Sequence, residues 1–168
     1  MRGGVTFYDP GRLEDGELTL VLRRTYRGSR SLGLAPNYTF DMKHAQTGAH
    51  MGEIDLRLSV EHYITHYAGH IGYGVLRAFR GHGYAARACR LLLPLARRHG
   101  LSPLWITCNP DNVPSRKTCE RLGATLVEIV AVPPGSDLYR RGEREKCRYR
   151  LDIAQLDLER SERLEARP

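Results

Sequence analysis

Apolar and polar residues alternate along the first part of the chain, and the spacing changes to a helical one near residue 80. Leu18 to Arg24, Tyr38 to His44 and Gly52 to Val60 carry apolar side chains at every second position, as in Ile54, Leu56 and Leu58, which predicts strands with one buried face. Gln46-Thr47-Gly48 supplies a turn between the second and third, so these strands read as an antiparallel meander. His70 to Leu76 predicts a further strand, in which Gly72 and Gly74 leave the backbone open to a close approach. From Gly83 to His99, Tyr84, Ala88, Leu91, Leu92 and Leu95 fall on one side of a helix. Pro94 inside it predicts a kink, and Gly100 a left-handed cap. Leu104 to Cys108 reads as a buried strand and Val113 to Leu122 as a short helix ended by Gly123. Thr125 to Val132 and Lys146 to Ile153 complete the set of strands, and the charged stretch 154–168 reads as a surface helix or a frayed tail. The expected organisation is one α/β (α+β) domain over residues 1–153, with a mixed, mostly antiparallel sheet.

Composition narrows the class. A chain of 168 residues, 41% of them hydrophobic, can bury a single core on its own. No apolar run approaches the ~20 residues that span a bilayer, and Asp9, Glu14, Asp15 and Glu17 occupy the place where a secretory signal would be apolar. The expected compartment is the cytoplasm. Cys89, Cys108, Cys119 and Cys147 form no C-x-x-C pair, which points to reduced thiols rather than a metal ribbon. Lys and Arg outnumber Asp and Glu by 26 to 19, and the resulting +7 favours anionic partners. The arginines are dispersed, with no basic run interleaved with aromatics except near Tyr139 to Tyr149, which argues against nucleic acid.

The candidate chemistry sits at Arg80-Gly81-His82-Gly83-Tyr84-Ala85-Ala86-Arg87. Two glycines between a strand and a helix let backbone amides converge at the positive helix end, with Arg80 and Arg87 as flanking cations, an arrangement suited to a pyrophosphate. Two readings compete for this turn. Gly81 to Ala86 also satisfies the G-x-G-x-x-A dinucleotide fingerprint, which would make the chain an NAD-binding oxidoreductase. Against that stand the antiparallel meander upstream and an acidic residue, Asp111, 28 positions past Gly83 where the fingerprint asks for about 20.

The run R-x-x-G-x-G/A, here Arg80 to Ala85, resembles the pyrophosphate motif of the GNAT acetyltransferase superfamily. Asn112-Val113-Pro114-Ser115, followed by Cys119-Glu120-Arg121-Leu122-Gly123-Ala124, resembles that superfamily's N-x-x-S block and the end of the next helix. The likeness covers residues 69 to 126 and is greatest to the RimJ/RimL-like branch. It implies a sheet with helices on both faces and a splayed strand pair. It also implies acetyl-CoA as cosubstrate and transfer of its acetyl group by direct attack of a primary amine on a small molecule or peptide. On this resemblance the segment Val75, Leu76 and Arg77 pairs with the pantetheine arm, the amides from His82 to Arg87 hold the pyrophosphate, and Asn112 and Ser115 face the cofactor's other end. A homodimer is the assembly the superfamily suggests, and a non-catalytic acyl-CoA-binding module is the remaining alternative.

The proton-transfer groups are less defined. Where many members of the superfamily have a tyrosine acid, this chain has Cys119, a thiol that can donate or simply fill the core. Glu61 and His70 are the candidate bases, in a segment that also holds His62 and His66. The spacing of the three histidines by four would suit a metal on a helix, but Gly69, Gly72 and the adjoining strand argue against one, so no metal is expected. Only about a dozen residues separate the first strand from Tyr38, where the superfamily folds two helices, and Arg24, Arg27, Arg30, Arg140 and Arg141 are candidates for lining an acidic-acceptor pocket.

Overall fold

The computed structural model describes residues 4–156. Strands β1 (Leu13–Asp15), β2 (Leu18–Tyr26), β3 (Asn37–His44), β4 (His50–Arg57) and β5 (Ile71–Val75) form an antiparallel sheet in sequence order. A second sheet has the order β6 (Leu104–Cys108), β8 (Glu145–Leu151), β7 (Thr125–Ala131), again antiparallel. Helix α1 (Tyr84–Arg98) links β5 to β6, and α2 (Val113–Arg121) and α3 (Asp137–Arg140) complete the regular helices. Short turns of π-helix at Ile64–Ala68 and of 3-10 helix at Arg77–Phe79 bracket β5. Beyond Ile153, residues 154–156 continue a last helical turn, and the rest of the charged tail lies outside the described residues.

The alternation in the sequence sets the faces. Tyr38, Phe40 and Met42 on β3, Ile54 and Leu56 on β4 and Ile71 on β5 are fully buried, and α1 covers them with Ala88, Cys89, Leu92 and Ala96. The opposite face is polar, with Arg23 ion-paired to Asp41 and Glu53 across three strands. That guanidinium occupies the middle of the Asp41, His50 and Glu53 group, the one cluster of metal-type ligands among the described residues. α1 runs through Pro94 to His99, and Gly100, with φ +71°, closes it while Leu101 N–H bonds back to Ala96 O at 3.0 Å. No described helix is long and apolar enough to cross a membrane.

The two sheets part between β5 and β6, the splayed pair. His70 N–H donates to Trp105 O at 2.7 Å, and Trp105 N–H donates to His70 Nδ1 at 2.9 Å. Just upstream, the π-helical turn folds back along β6, where Thr107 Oγ1 donates to Tyr67 O at 2.8 Å. That turn fills the base of the split and forces β5 away from β6 above it. A doubly wound parallel sheet, which the dinucleotide reading requires, is absent among the described residues.

Leu92 packs at the centre of the core with no exposed surface, so Leu92→Ala should cost about 2–5 kcal/mol. A urea titration checks this against Leu126→Ala on β7, where the side chain is 39% exposed and the midpoint should move little.

Candidate active site

The split between β5 and β6 opens a cavity of about 520 Å3 whose walls include Gly74, Val75, Arg80, Gly81, Gly83 and Ala85 on one side and Asn112, Pro114, Lys117 and Arg121 on the other. Each wall has a physical origin. In β5, Leu76 N–H bonds to Met51 O and His70 O accepts from Arg57 N–H, so the main-chain groups of the even-numbered residues face β4. Those of Tyr73 and Val75 therefore face the split, where no strand meets them. Val75 O is taken by Arg80 Nε at 2.9 Å, which folds the Arg80 side chain back along the strand end.

Gly81 and Gly83 have φ of +86° and +72°, the left-handed region that other residues enter at a cost of about 1–2 kcal/mol. Gly83 is the N-cap of α1, with no side-chain cap and no acid in the first turn. The amides of Tyr84, Ala85 and Ala86 have no partner within the helix and lie at its positive end. Facing them, Asn112 caps α2 by accepting from Ser115 N–H at 3.2 Å. Lys117 and Arg121, one turn apart on α2, add cations, and Arg121 Nη1 would stand 3.6 Å from a Cβ on Gly83. No carboxylate among the described residues pairs with Arg80, Lys117 or Arg121. Backbone donors, a helix end and three cations make this cavity a receptor for a phosphorylated chain.

A second cavity, about 750 Å3, adjoins the first, and Tyr73, Asn112 and Ser115 belong to both walls. Tyr73 Oη lies 2.7 Å from Ser115 Oγ, and burial pushes the Tyr73 pKa up, so its proton is retained. Arg24, Tyr26, Arg57, Tyr67, Asn109 and Arg141 line the far side. Lys146 and Glu143 are ion-paired with each other in the same wall.

The residues singled out from the sequence are distributed unevenly. Val75, Arg80, Gly81, Gly83, Tyr84, Ala85, Asn112 and Ser115 line the smaller cavity, whereas Leu76, Arg77, His82, Ala86 and Arg87 do not. Arg87 is turned the other way: Nε donates to Asp15 Oδ2 at 2.7 Å and Nη1 to Glu17 Oε1 at 2.8 Å, while its amide donates to Gly83 O. Two carboxylates on the β1–β2 hairpin attract it more strongly than an open turn. Arg121, from the next helix, stands beside the turn. Lys117 and Arg121 were visible in the sequence only as two cations one helical turn apart downstream of Asn112.

Glu61, His70 and Cys119 lie outside both cavity walls. His70 is 1% exposed and uses both ring nitrogens, Nε2 donating to Ser59 O at 2.9 Å and Nδ1 accepting from Trp105. It serves as a pin between strands. Cys119 is fully buried, and its pKa is raised by hydrogen bonding to Cys108 and by burial, while the same contact and Ser115 lower that of Cys108. Glu61 is exposed and its carbonyl starts the π-helical turn by accepting from Ile64 and Thr65. Of the five arginines considered for an acceptor pocket, Arg24 and Arg141 line the larger cavity, and Arg140 is paired with Asp137.

The family model of the acetyltransferase (GNAT) domain matches residues 2–125, from ahead of β1 to the first residue of β7. The chain belongs to the GNAT acetyltransferases. Among solved structures, the putative ribosomal-protein-serine acetyltransferase from Vibrio cholerae shares the fold with a TM-score of 0.53 and 23% identity, over 69% of this chain and 64% of that one. The GNAT-family acetyltransferase from Bacillus anthracis superposes with a TM-score of 0.54 at 19% identity, over 69% and 66% of the two chains. A microcin self-immunity acetyltransferase, solved in complex with acetyl-CoA and AMP, gives a TM-score of 0.51 at 20% identity, over 69% and 61%. This GNAT chain thus spans less than two thirds of the length of the Vibrio protein. No curated protein sequence matches it. β7, after its first residue, and β8 lie past the matched region and pair with β6 in the sheet opposite β5.

Burial lowers the pKa of His70, and of His66 and His99, below the ordinary imidazole value of 6.5. The unfolded chain then binds more protons than the folded one as pH drops below that value, so stability is full above it and falls below it. Urea midpoints should decrease from pH 7.5 to pH 5.5. His70→Gln should flatten that slope while costing about 1–3 kcal/mol at neutral pH through unmade buried hydrogen bonds.

Proposed function

We propose that this GNAT domain transfers the acetyl group of acetyl-CoA to a primary amine by direct attack. The observation that carries the reading is the pairing of an unoccupied strand edge with a phosphate-type cradle in one cavity, opening onto a second cavity through Tyr73, Asn112 and Ser115. The pantetheine amides would complete the edge of β5 at Tyr73 and Val75 as a strand does. The pyrophosphate would sit on the amides of Tyr84 and Ala85 beside Arg80 and Arg121. The microcin self-immunity acetyltransferase was solved with acetyl-CoA on the same fold, which supports acetyl-CoA as the cosubstrate.

The thioester carbonyl would then lie where the cavities meet. An amine entering from the larger cavity attacks its carbon, and a main-chain N–H of β5 stabilises the developing oxyanion. The carbon–sulfur bond breaks, the amine loses a proton, and the departing thiolate gains one. Tyr73 Oη, hydrogen-bonded to Ser115 Oγ in the wall common to both cavities, gives the thiolate its proton and takes up the one released by the attacking nitrogen. In the larger cavity's wall the carboxylates Asp137 and Glu143 are both ion-paired, so the amine is expected to arrive as free base rather than be deprotonated by a dedicated residue.

Acetyl-CoA should raise the melting temperature of the chain by several degrees, whereas NAD should leave it unchanged; stabilisation by NAD alone would return the glycine turn to the dinucleotide reading. Gly83→Ala should raise KM for acetyl-CoA about tenfold, by strain at φ +72°, with a smaller effect on the amine's KM. Tyr73→Phe should lower kcat by about 10- to 100-fold with KM for acetyl-CoA held, as measured by CoA release.

A further inference from the structure

The larger cavity contains a guanidinium that the fold neutralises only from a distance. Arg57, the last residue of β4, lies over Gly72 of β5, and a Cβ on Gly72 would stand 2.9 Å from its Nη2. Gly72 is therefore a notch for this side chain. Nη1 is anchored by two carbonyls, Ala68 O and Gly69 O, each at 3.1 Å. Nη2 makes no hydrogen bond among the described residues, and its nearest carboxylate, Asp55, is 3.9 Å away. A half-buried cation with only a loose counter-charge is costly unless a ligand supplies the anion, and the desolvation is felt in the lowered pKa of Arg57. Two more arginines in the same wall, Arg24 and Arg141, are exposed and have no carboxylate partner among the described residues. The cavity's own acids are spent, Glu143 on Lys146 and Asp137 on Arg140.

Gly72, under the guanidinium, is the chain neighbour of Tyr73, their Cα atoms about 4 Å apart, so the notch borders the residue shared by the two cavities.

We infer that the acceptor is a small amine carrying a carboxylate or phosphate a few bonds from its nitrogen, with the anion held by Arg57 over Gly72. This rests on the acetyl-transfer reading of the site. A cavity of about 750 Å3 suits a molecule of this size. A planar guanidinium with Nη2 open can hold either a carboxylate or a phosphate oxygen. Arg24 and Arg141 at the rim would draw anions in, an effect that salt weakens.

The test compares two matched pairs, glycine against glycinamide and phosphoethanolamine against ethanolamine, with CoA release expressed per concentration of free base. The anionic member of at least one pair should have a kcat/KM at least tenfold higher, and which pair shows it separates a carboxylate from a phosphate ligand. Arg57→Gln should abolish the advantage through KM, and Arg57→Lys should keep part of it. Because Arg57 is also bonded to main chain, the exposed double variant Arg24→Ser with Arg141→Ser provides a second reading and should reduce the advantage several-fold and lessen its salt dependence. If acetyl-CoA stabilises the protein but neutral amines react as well as or better than anionic ones, or none of the four reacts, the anion site is overturned and cofactor binding stands. If acetyl-CoA does not bind, both readings fall.

Discussion

The two hydrogen bonds between His70 and Trp105 decide what the rest of the molecule can be. They join β5 to β6 at one point, using the main-chain N–H of each residue, and the π-helical turn beside them occupies the edge of β6 that a continuous sheet would give to β5. Without that obstruction the five-stranded and three-stranded sheets would zip into one, and Tyr73 and Val75 would spend their main-chain groups on β6. The site exists because no strand among the described residues pairs with those groups, Val75 O being met only by the Arg80 side chain. Burying an imidazole is the cost of the pin, offset by using both of its nitrogens.

Much of this was legible in the sequence because it depends on local rules. The alternation in Tyr38 to His44 and Ile54 to Leu58, the helical spacing from Tyr84 to Leu95 and the glycines at 81, 83 and 100 report burial and backbone sign directly. The turn of π-helix was not readable, since His62 and His66 follow helical spacing and stack at 3.8 Å while His70, at the same spacing, enters the strand. A histidine in such a pattern looks like a candidate base, and nothing local tells that its ring will be sealed under Trp105.

Partner choice between cations was hidden for the same reason. Arg87 and Arg121 are each at a helix position that could face the glycine turn. Which one does so depends on Asp15 and Glu17, some seventy residues before Arg87, at the end of a three-residue strand too short to show a pattern and in the turn after it. Arg57 was equally opaque, because its role comes from the missing Cβ of a residue on the neighbouring strand.

The clasp that removes Arg87 from the glycine turn has a mechanical side. Arg87 and Tyr84 Oη both bind Glu17, whose pKa is lowered to about 2, so the first turn of α1 is tied to the hairpin farthest from the split in the larger sheet. At the other end of the helix, His99 Nε2 lies 2.8 Å from Tyr38 Oη, which in turn accepts from Tyr8 N–H. α1 is thus a beam fixed at both ends to one slab. The other slab, β6, β8 and β7 with α2, is joined to this beam through Arg90 Nη2, which donates to Arg121 O at 2.6 Å, and to β5 through His70.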